Sequence, residues 1–235
     1  MLDSSTLRAR LASVHDRVTR AAGRSGRDPA SIRLVAISKT FPAEYIRVAA
    51  EAGQIDFGEN KVQEALQKMD QTADLGIRWH LVGHLQSNKV RKAGSRFDVI
   101  HSVDDGAMVT KLDEAAAAVG REVTLLVQVD LAGEPTKHGA REDALEAIFR
   151  TADRCRCARV RGLMVLPPEV DDPEAARPYF RALKNLRDRL RAAGVDPGML
   201  TELSMGMSHD FEAAVEEGAT LIRVGTAIFG SRSGV

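Results

Sequence analysis

Short apolar runs recur along the chain, and most are followed by a stretch with helical spacing. The runs are 34–38 (LVAIS), 55–57 (IDF), 79–82 (WHLV), 98–101 (DVIH), 123–129 (VTLLVQV), 160–166 (VRGLMVL), 200–204 (LTELS) and 221–224 (LIRV). Several are near-continuously hydrophobic, as strands buried on both faces are. Ahead of the first, Leu7, Leu11, Val14, Val18 and Ala22 share one helical face. That spacing predicts a helix over 4–22, with Ser4 or Ser5 as its cap and Gly23 as its stop. Between later runs, Phe180, Leu183, Leu186 and Leu190 line one face of a helix opened by Asp172 and Pro173 and stopped by Gly194. Another helix is expected to start at Ser208 as N-cap and end at Gly218.

Strand alternating with helix argues for a parallel sheet covered by helices. About eight such units in 235 residues fit a closed barrel better than an open doubly wound sheet. No G-x-G-x-x-G follows the first strand, which weakens a dinucleotide-binding alternative. The expected fold is α/β, a single (β/α)8 TIM barrel with an extra N-terminal helix, and the expected domain spans 1–235 without a linker or low-complexity segment.

Composition narrows the class. Hydrophobic residues make up 44 % of the chain and aromatics 4 %, so the core is aliphatic. Lys plus Arg equals Asp plus Glu at 33 each, for a net charge of zero. Nucleic-acid binders usually carry a basic excess, so a small-molecule protein with no nucleic-acid partner is expected. The N-terminus is charged and lacks the apolar core of a signal peptide, and no apolar run approaches the ~18 residues of a membrane span. Cys155 and Cys157 are too close in sequence for a structural disulfide. These features predict a cytoplasmic protein with reduced thiols and no membrane contact; a monomer is expected, although none of these features sets the oligomeric state.

The first apolar run ends unexpectedly. After Leu34, Val35, Ala36 and Ile37, the next long side chain is Lys39, although lysine is among the residues least often buried. In a barrel, function gathers at the C-terminal ends of strands. A lysine desolvated there has a lowered pKa, and its neutral amine can attack a carbonyl to form a Schiff base. At the other end of the chain, "LSMGMSHD" (203–210) and "RVGTAIFG" (223–230) follow the last two strands. Loops in those places often build phosphate sites from backbone N–H groups, and Ser204, Gly206, Gly225 and Thr226 are the residue types required. Gly225 and Gly230 have the gap of a P-loop, but Ser231 and Arg232 stand where its Lys and Ser/Thr belong, so that likeness is spurious. A Schiff-base lysine with a phosphate cup suggests a phosphorylated aldehyde, either pyridoxal 5′-phosphate (PLP) or the sugar phosphate of a cofactor-free aldolase.

Taken together, "LVAISKTFP", "FGENKVQEA", "WHLVGHLQSNK", "GLMVLPP" and "LSMGMSHDFEAAVEEGATLIRVGTAIFG" resemble the PLP homeostasis proteins, small PLP-binding proteins similar to the barrel domain of alanine racemase. The resemblance runs from about residue 4 to residue 232. It implies that Lys39 forms the Schiff base with PLP, and that Ser204, Thr226 and the backbone at Met205, Gly206 and Gly225 hold the phosphate. By the same resemblance Arg223 faces the pyridine nitrogen and disfavours its protonation, and Asn60 lies near the ring. Asn60 with Gln63 also reads as a helix capping box. Alanine racemases carry a second domain whose tyrosine supplies one acid/base group, whereas this sequence stops just after the barrel and has only Tyr45 and Tyr179, both in apparent helices. The resemblance therefore implies a PLP carrier or buffer affecting amino- and keto-acid balance, with PLP-dependent apo-enzymes as partners and no established catalysis. A weak racemase is the alternative. His80 and His84 lack the glutamate of a zinc-protease helix, so no metal site is expected. Lys137, in a loop on the same rim as Lys39, reads as a solvated lysine that could also touch the phosphate.

Overall fold

The computed structural model describes residues 3–133 and 138–231. The chain begins with α1 (Ser4–Arg24), then alternates β1 (Arg33–Ile37), α2 (Ala43–Glu51), β2 (Asp56–Glu59), α3 (Val62–Gln71), β3 (Arg78–Leu81), α4 (Val90–Arg96), β4 (Val99–Val103), α5 (Gly106–Ala117) and β5 (Val123–Gln128). It continues with α6 (Leu145–Ala152), β6 (Ala158–Met164), α7 (Arg177–Ala192), β7 (Glu202–Met207), α8 (Phe211–Glu217), β8 (Leu221–Val224) and α9 (Thr226–Phe229). All eight strands are parallel, and β8 pairs with β1 to close the barrel. Closure leaves no strand edge exposed, and it brings the two ends of the sequence into one wall.

Apolar residues form two layers. Outside the barrel, Leu34, Ala36, Phe57, Leu81, Ile100 and Leu125 pack against the helices. Inside it, Val35, Ile37, Val82, Leu126, Met164 and Leu221 form a smaller cluster. The strict alternation between layers follows from side chains of a strand pointing to opposite faces. α1 packs on α2, α8 and α9, burying Leu7, Leu11, Val14 and Val18 along the stripe that the spacing predicted.

Several caps differ from expectation. Asp3 caps α1, its carboxylate accepting from the N–H groups of Ser5 and Thr6, because a carboxylate also suits the positive helix end. The helix runs past Gly23 to Arg24. α3 starts after Lys61 without a side-chain cap, so Asn60 and Gln63 form no capping box. α8 starts after Asp210, not Ser208. Cys155 and Cys157 are both free and partly exposed.

Candidate functional site

The alternation along β1 answers why an apolar strand runs into a lysine. Val35 and Ile37 point to the barrel axis, and Lys39, two residues further on, continues that series to the C-terminal mouth. There it is half-buried and lines a cavity of about 640 Å³ together with Asn60, His84, Arg223, Gly225 and Thr226. Arg223 stands opposite Val35 in the β1–β8 register, so the seam of the barrel places it and Lys39 on neighbouring strands. The wall beside Lys39 requires Gly83: a Cβ there would come within 2.3 Å of the Asn60 carbonyl oxygen.

The loops after β7 and β8 meet across the mouth. Ser208 Oγ accepts hydrogen bonds from the N–H groups of Gly225 (3.0 Å) and Ala227 (3.4 Å), and Ser208, Gly225 and Thr226 all line the cavity. Among the described residues the Thr226 N–H makes no hydrogen bond. Ser208, read from sequence as a helix cap, is therefore the hydroxyl that ties the two loops together. Ser204 sits elsewhere. It is fully buried inside the barrel, its Oγ engaged by His101 and Arg223, so the expectation that it holds a phosphate does not fit its place. Met205 is buried in the layer beneath the helices. Gly206 does not line the cavity; it has φ of 91° and packs on α8, where a Cβ would lie 2.5 Å from that of Ala214.

A line of polar side chains crosses the barrel interior below the cavity. Arg223 donates to Ser204 Oγ (2.6 Å) and to the Val165 carbonyl (2.9 Å). His101 Nδ1 lies 2.8 Å from Ser204 Oγ, His80 Nδ1 lies 2.9 Å from His101 Nε2, and His80 Nε2 lies 2.8 Å from Asp56 Oδ1. The two ends fix the direction of every hydrogen bond. A guanidinium only donates and a carboxylate only accepts. Ser204 thus gives its proton to His101 Nδ1, and both histidines carry theirs on Nε2. Burial lowers the pKa of both histidines, that of His101 well below the ordinary value, in keeping with two neutral rings. Burial also pulls Arg223 down to about 10, with Asp210 opposing it, which leaves it a cation at neutral pH. For Asp56 burial works upward, but hydrogen bonds from His80 and Arg78 hold its carboxyl below the usual range. This line joins residues from five strands, and the sequence offers only one sign of it: polar residues at inward positions.

A second polar system lies behind Lys39, between the ends of β1 and β2 and helix α3. Lys68 Nζ donates to Glu59 Oε1 (2.7 Å), Glu64 Oε1 (2.8 Å) and the Ser38 carbonyl (2.8 Å). Ser38 Oγ donates to Glu59 Oε1 (2.7 Å), and the Thr40 N–H donates to Glu64 Oε1 (2.6 Å). Glu59 is fully buried, and among the described residues its Oε2 has no partner. Burial raises its pKa further than Lys68 and Ser38 lower it. Thr40 has φ of 70°, a left-handed conformation costing a residue with a Cβ roughly 1–2 kcal/mol.

On the rim, His84 stacks on His138 with centroids 3.5 Å apart and planes 9° from parallel. Asp104 lies close to both. The two ring planes are nearly parallel, so the in-plane lone pairs of His84 and His138 lie in separate planes and are poorly placed to meet on one ion. Tyr45 and Tyr179 lie on α2 and α7, and neither lines the mouth cavity. Lys137 falls outside the described residues. A groove of about 740 Å³ between α6 and α7, edged by Arg189 and Glu142, contains none of the site residues expected from sequence. Among the described residues no helix is long and apolar enough to cross a membrane.

Fold and site together define a parallel barrel with a lysine at the end of its first strand and an arginine on its last. The alanine racemase N-terminal domain family matches residues 10–233. A pyridoxal phosphate homeostasis protein of Aquifex aeolicus is 41 % identical over 224 residues, covering 95 % of this chain and 97 % of its own. The protein PipY of Synechococcus elongatus, solved with PLP bound, is 42 % identical with a TM-score of 0.84, over 95 % of this chain and all of its own. An alanine racemase of Clostridium difficile shares the fold at 14 % identity and a TM-score of 0.73, over 98 % of this chain and 58 % of its own. The chain belongs to the pyridoxal phosphate homeostasis protein family, within the alanine racemase N-terminal domain class.

Proposed function

We propose that this chain binds PLP at the barrel mouth through Lys39 and carries or buffers it within the cell, passing it to PLP-dependent apo-enzymes without turnover of its own. The observation that carries this reading is one cavity lined at once by Lys39, by the loop hydroxyls Ser208 and Thr226, and by Arg223. The names and the PLP-bound structure of the relatives support it.

The residues fit the group by their donor chemistry. A phosphate dianion seeks several N–H and O–H donors, and the Thr226 amide and hydroxyl with Ser208 supply them beside a glycine. Arg223 donates and never accepts, so a pyridine nitrogen facing it stays unprotonated and the ring is a weak electron sink. When bound, PLP supplies an aldehyde whose carbon a neutral amine joins, the aldehyde oxygen leaving as water with the two amine hydrogens. Lys39 provides that amine, and Asn60 offers an amide to the ring. Racemisation needs placed acid/base groups on both faces. Tyr45 and Tyr179 supply none at the mouth, so no tyrosine among the described residues there can take the second face from Lys39.

The test is borohydride reduction of PLP-loaded protein followed by peptide mapping. The adduct is expected on Lys39 and absent in Lys39→Ala. Replacing Ser208 and Thr226 together by Ala should weaken PLP binding about tenfold or more, at about 1 kcal/mol for each lost hydrogen bond. Incubation with L- and D-alanine should show no sustained change of chirality. Turnover in the ordinary enzyme range of about 1–10³ s⁻¹ would favour the racemase instead.

A further inference from the structure

We propose that Glu59, Glu64, Lys68 and Thr40 form a positioning device for Lys39, fixing the backbone on both sides of it so that its amine is presented to the cavity. The proposal rests on the reading of Lys39 as the attachment point.

The contacts fall on Lys39's two neighbours. On the N-terminal side Ser38 is held four times: its carbonyl accepts from Lys68 Nζ and from the Phe41 N–H (3.0 Å), which closes the turn through Lys39 and Thr40, its hydroxyl donates to Glu59, and its N–H donates to the Gly58 carbonyl at 3.0 Å. On the C-terminal side the Thr40 N–H donates to Glu64. Lys68 links the two sides, since it donates to both carboxylates and to Ser38. Lys39 itself belongs to no part of this cluster. Its side chain leaves toward the cavity while the peptide units flanking it are tied to the opposite side of the barrel wall.

Two features are hard to explain as plain structural support. Thr40 is the one residue other than glycine with positive φ among the described residues, and a β-branched residue is a poor occupant of that region. Glu59 keeps a buried oxygen with no partner, whereas buried polar groups are normally satisfied. Strain and unpaired groups collect where a conformation must be held for a purpose. Here Thr40 forms one of the two peptide units that flank Lys39, and Glu59 holds the Ser38 hydroxyl and the Lys68 ammonium beside the other. The left-handed turn at Thr40 swings the chain away immediately after Lys39. The Glu64 carboxylate holds that turn through the Thr40 N–H.

The experiment compares wild type with Thr40→Gly and Glu64→Gln, with Lys68→Met as a third variant that has the greater risk of failing to fold. Each is melted without ligand. Each is titrated with 4′-deoxypyridoxine phosphate, which keeps the ring and phosphate but has no aldehyde. Each is then mixed with PLP, and the rate of attachment is read by borohydride trapping with peptide mapping. We expect Thr40→Gly to melt no lower than wild type, because glycine adopts positive φ without strain. Affinity for the aldehyde-free analogue should change less than twofold in Thr40→Gly and Glu64→Gln. Attachment at Lys39 should slow at least tenfold in both. Attachment at the wild-type rate in both variants overturns the positioning role, as does equal loss of affinity for PLP and for the analogue. A wild type that carries no adduct on Lys39 overturns the site reading and the positioning role with it, a result distinct from unchanged variants beside a labelled wild type.

Discussion

Inside the barrel, Arg223, Ser204, His101, His80 and Asp56 form a line in which both ring nitrogens of each histidine are used. Behind β1, Lys68 serves two carboxylates while Glu59 keeps one buried oxygen unpaired and Thr40 sits in a strained turn. The first system is neutral along its length, with charge only at its ends. The second gathers two carboxylates around one ammonium nitrogen. A satisfied line of neutral groups resists displacement, and it holds an arginine that has only to stay in place. A crowded ionic cluster depends on every member, and it backs a lysine whose proposed work is to reach and leave a carbonyl carbon. The contrast teaches that burial alone does not tell what a polar group is for; the pattern of pairing does.

The comparison breaks most sharply at Lys68. Lys68→Met leaves the fully buried Glu59 without its cation, and breaking a buried ion pair on one side costs about 3–5 kcal/mol. Urea unfolding at neutral pH should show a loss of that size. His101→Leu interrupts the interior line instead, leaving His80 Nδ1 without a donor and the Ser204 O–H without an acceptor, although Ser204 Oγ still accepts from Arg223. Because Ser204 keeps Arg223, the cost falls at the lower end of about 1–3 kcal/mol per unsatisfied buried group, and a loss of roughly 2–3 kcal/mol is expected, smaller than at Lys68.

Acid sharpens the difference. His101 is held well below its ordinary pKa, first by burial and then by its charged neighbours. Its contribution is present above the unfolded value of about 6.5 and is lost as pH falls through that value, because the unfolded chain then binds a proton the folded one refuses. The cost of His101→Leu should therefore shrink on going from pH 8 to pH 5.5, by up to about 1.4 kcal/mol for each pH unit below 6.5. His80 and His15 are shifted the same way. Glu59, Asp104 and Asp210 are shifted upward, and their contributions are lost as pH rises, so the difference between the two proteins is the quantity to follow. A cost independent of pH would mean that His101 is not neutral in the fold. The smallest effect belongs to Arg78, which meets Asp56 at the far end of the line with nearly half of its side chain exposed. Arg78→Ala should cost under about 1 kcal/mol, as screened pairs do. A larger loss would show that the line depends on its outer end.

Much of this architecture was legible in the chain. Eight apolar runs alternating with helical spacing predicted the barrel, and the run ending in Lys39 pointed to the mouth because only the C-terminal strand ends open there. Arg223, Gly225 and Thr226 came out beside it. Ser208 was misread because a serine ahead of an acidic helix looks the same whether it caps that helix or reaches another loop. Ser204 was misplaced because its loop was judged by residue type, while the alternation on β7 turns it inward toward His101. The interior line escaped notice because Asp56, His80, His101 and Ser204 are scattered over four strands and meet only when the barrel closes. The same holds for Glu59 and Lys68, whose roles depend on which side of β2 faces α3.

Because β8 pairs with β1, Lys39 and Thr226 come together only at the last seam of the sheet. On a ribosome, the strand carrying the lysine emerges among the first and the loop carrying Thr226 emerges after all eight strands have been made. Until then the nascent chain displays the Lys39 amine without the loop proposed to grip a phosphate. Pairings so distant in sequence form late and slowly. In the proposed function cofactor capture is thereby tied to completion of the closed sheet, and a chain stalled before β8 would be left with the lysine half of the site alone.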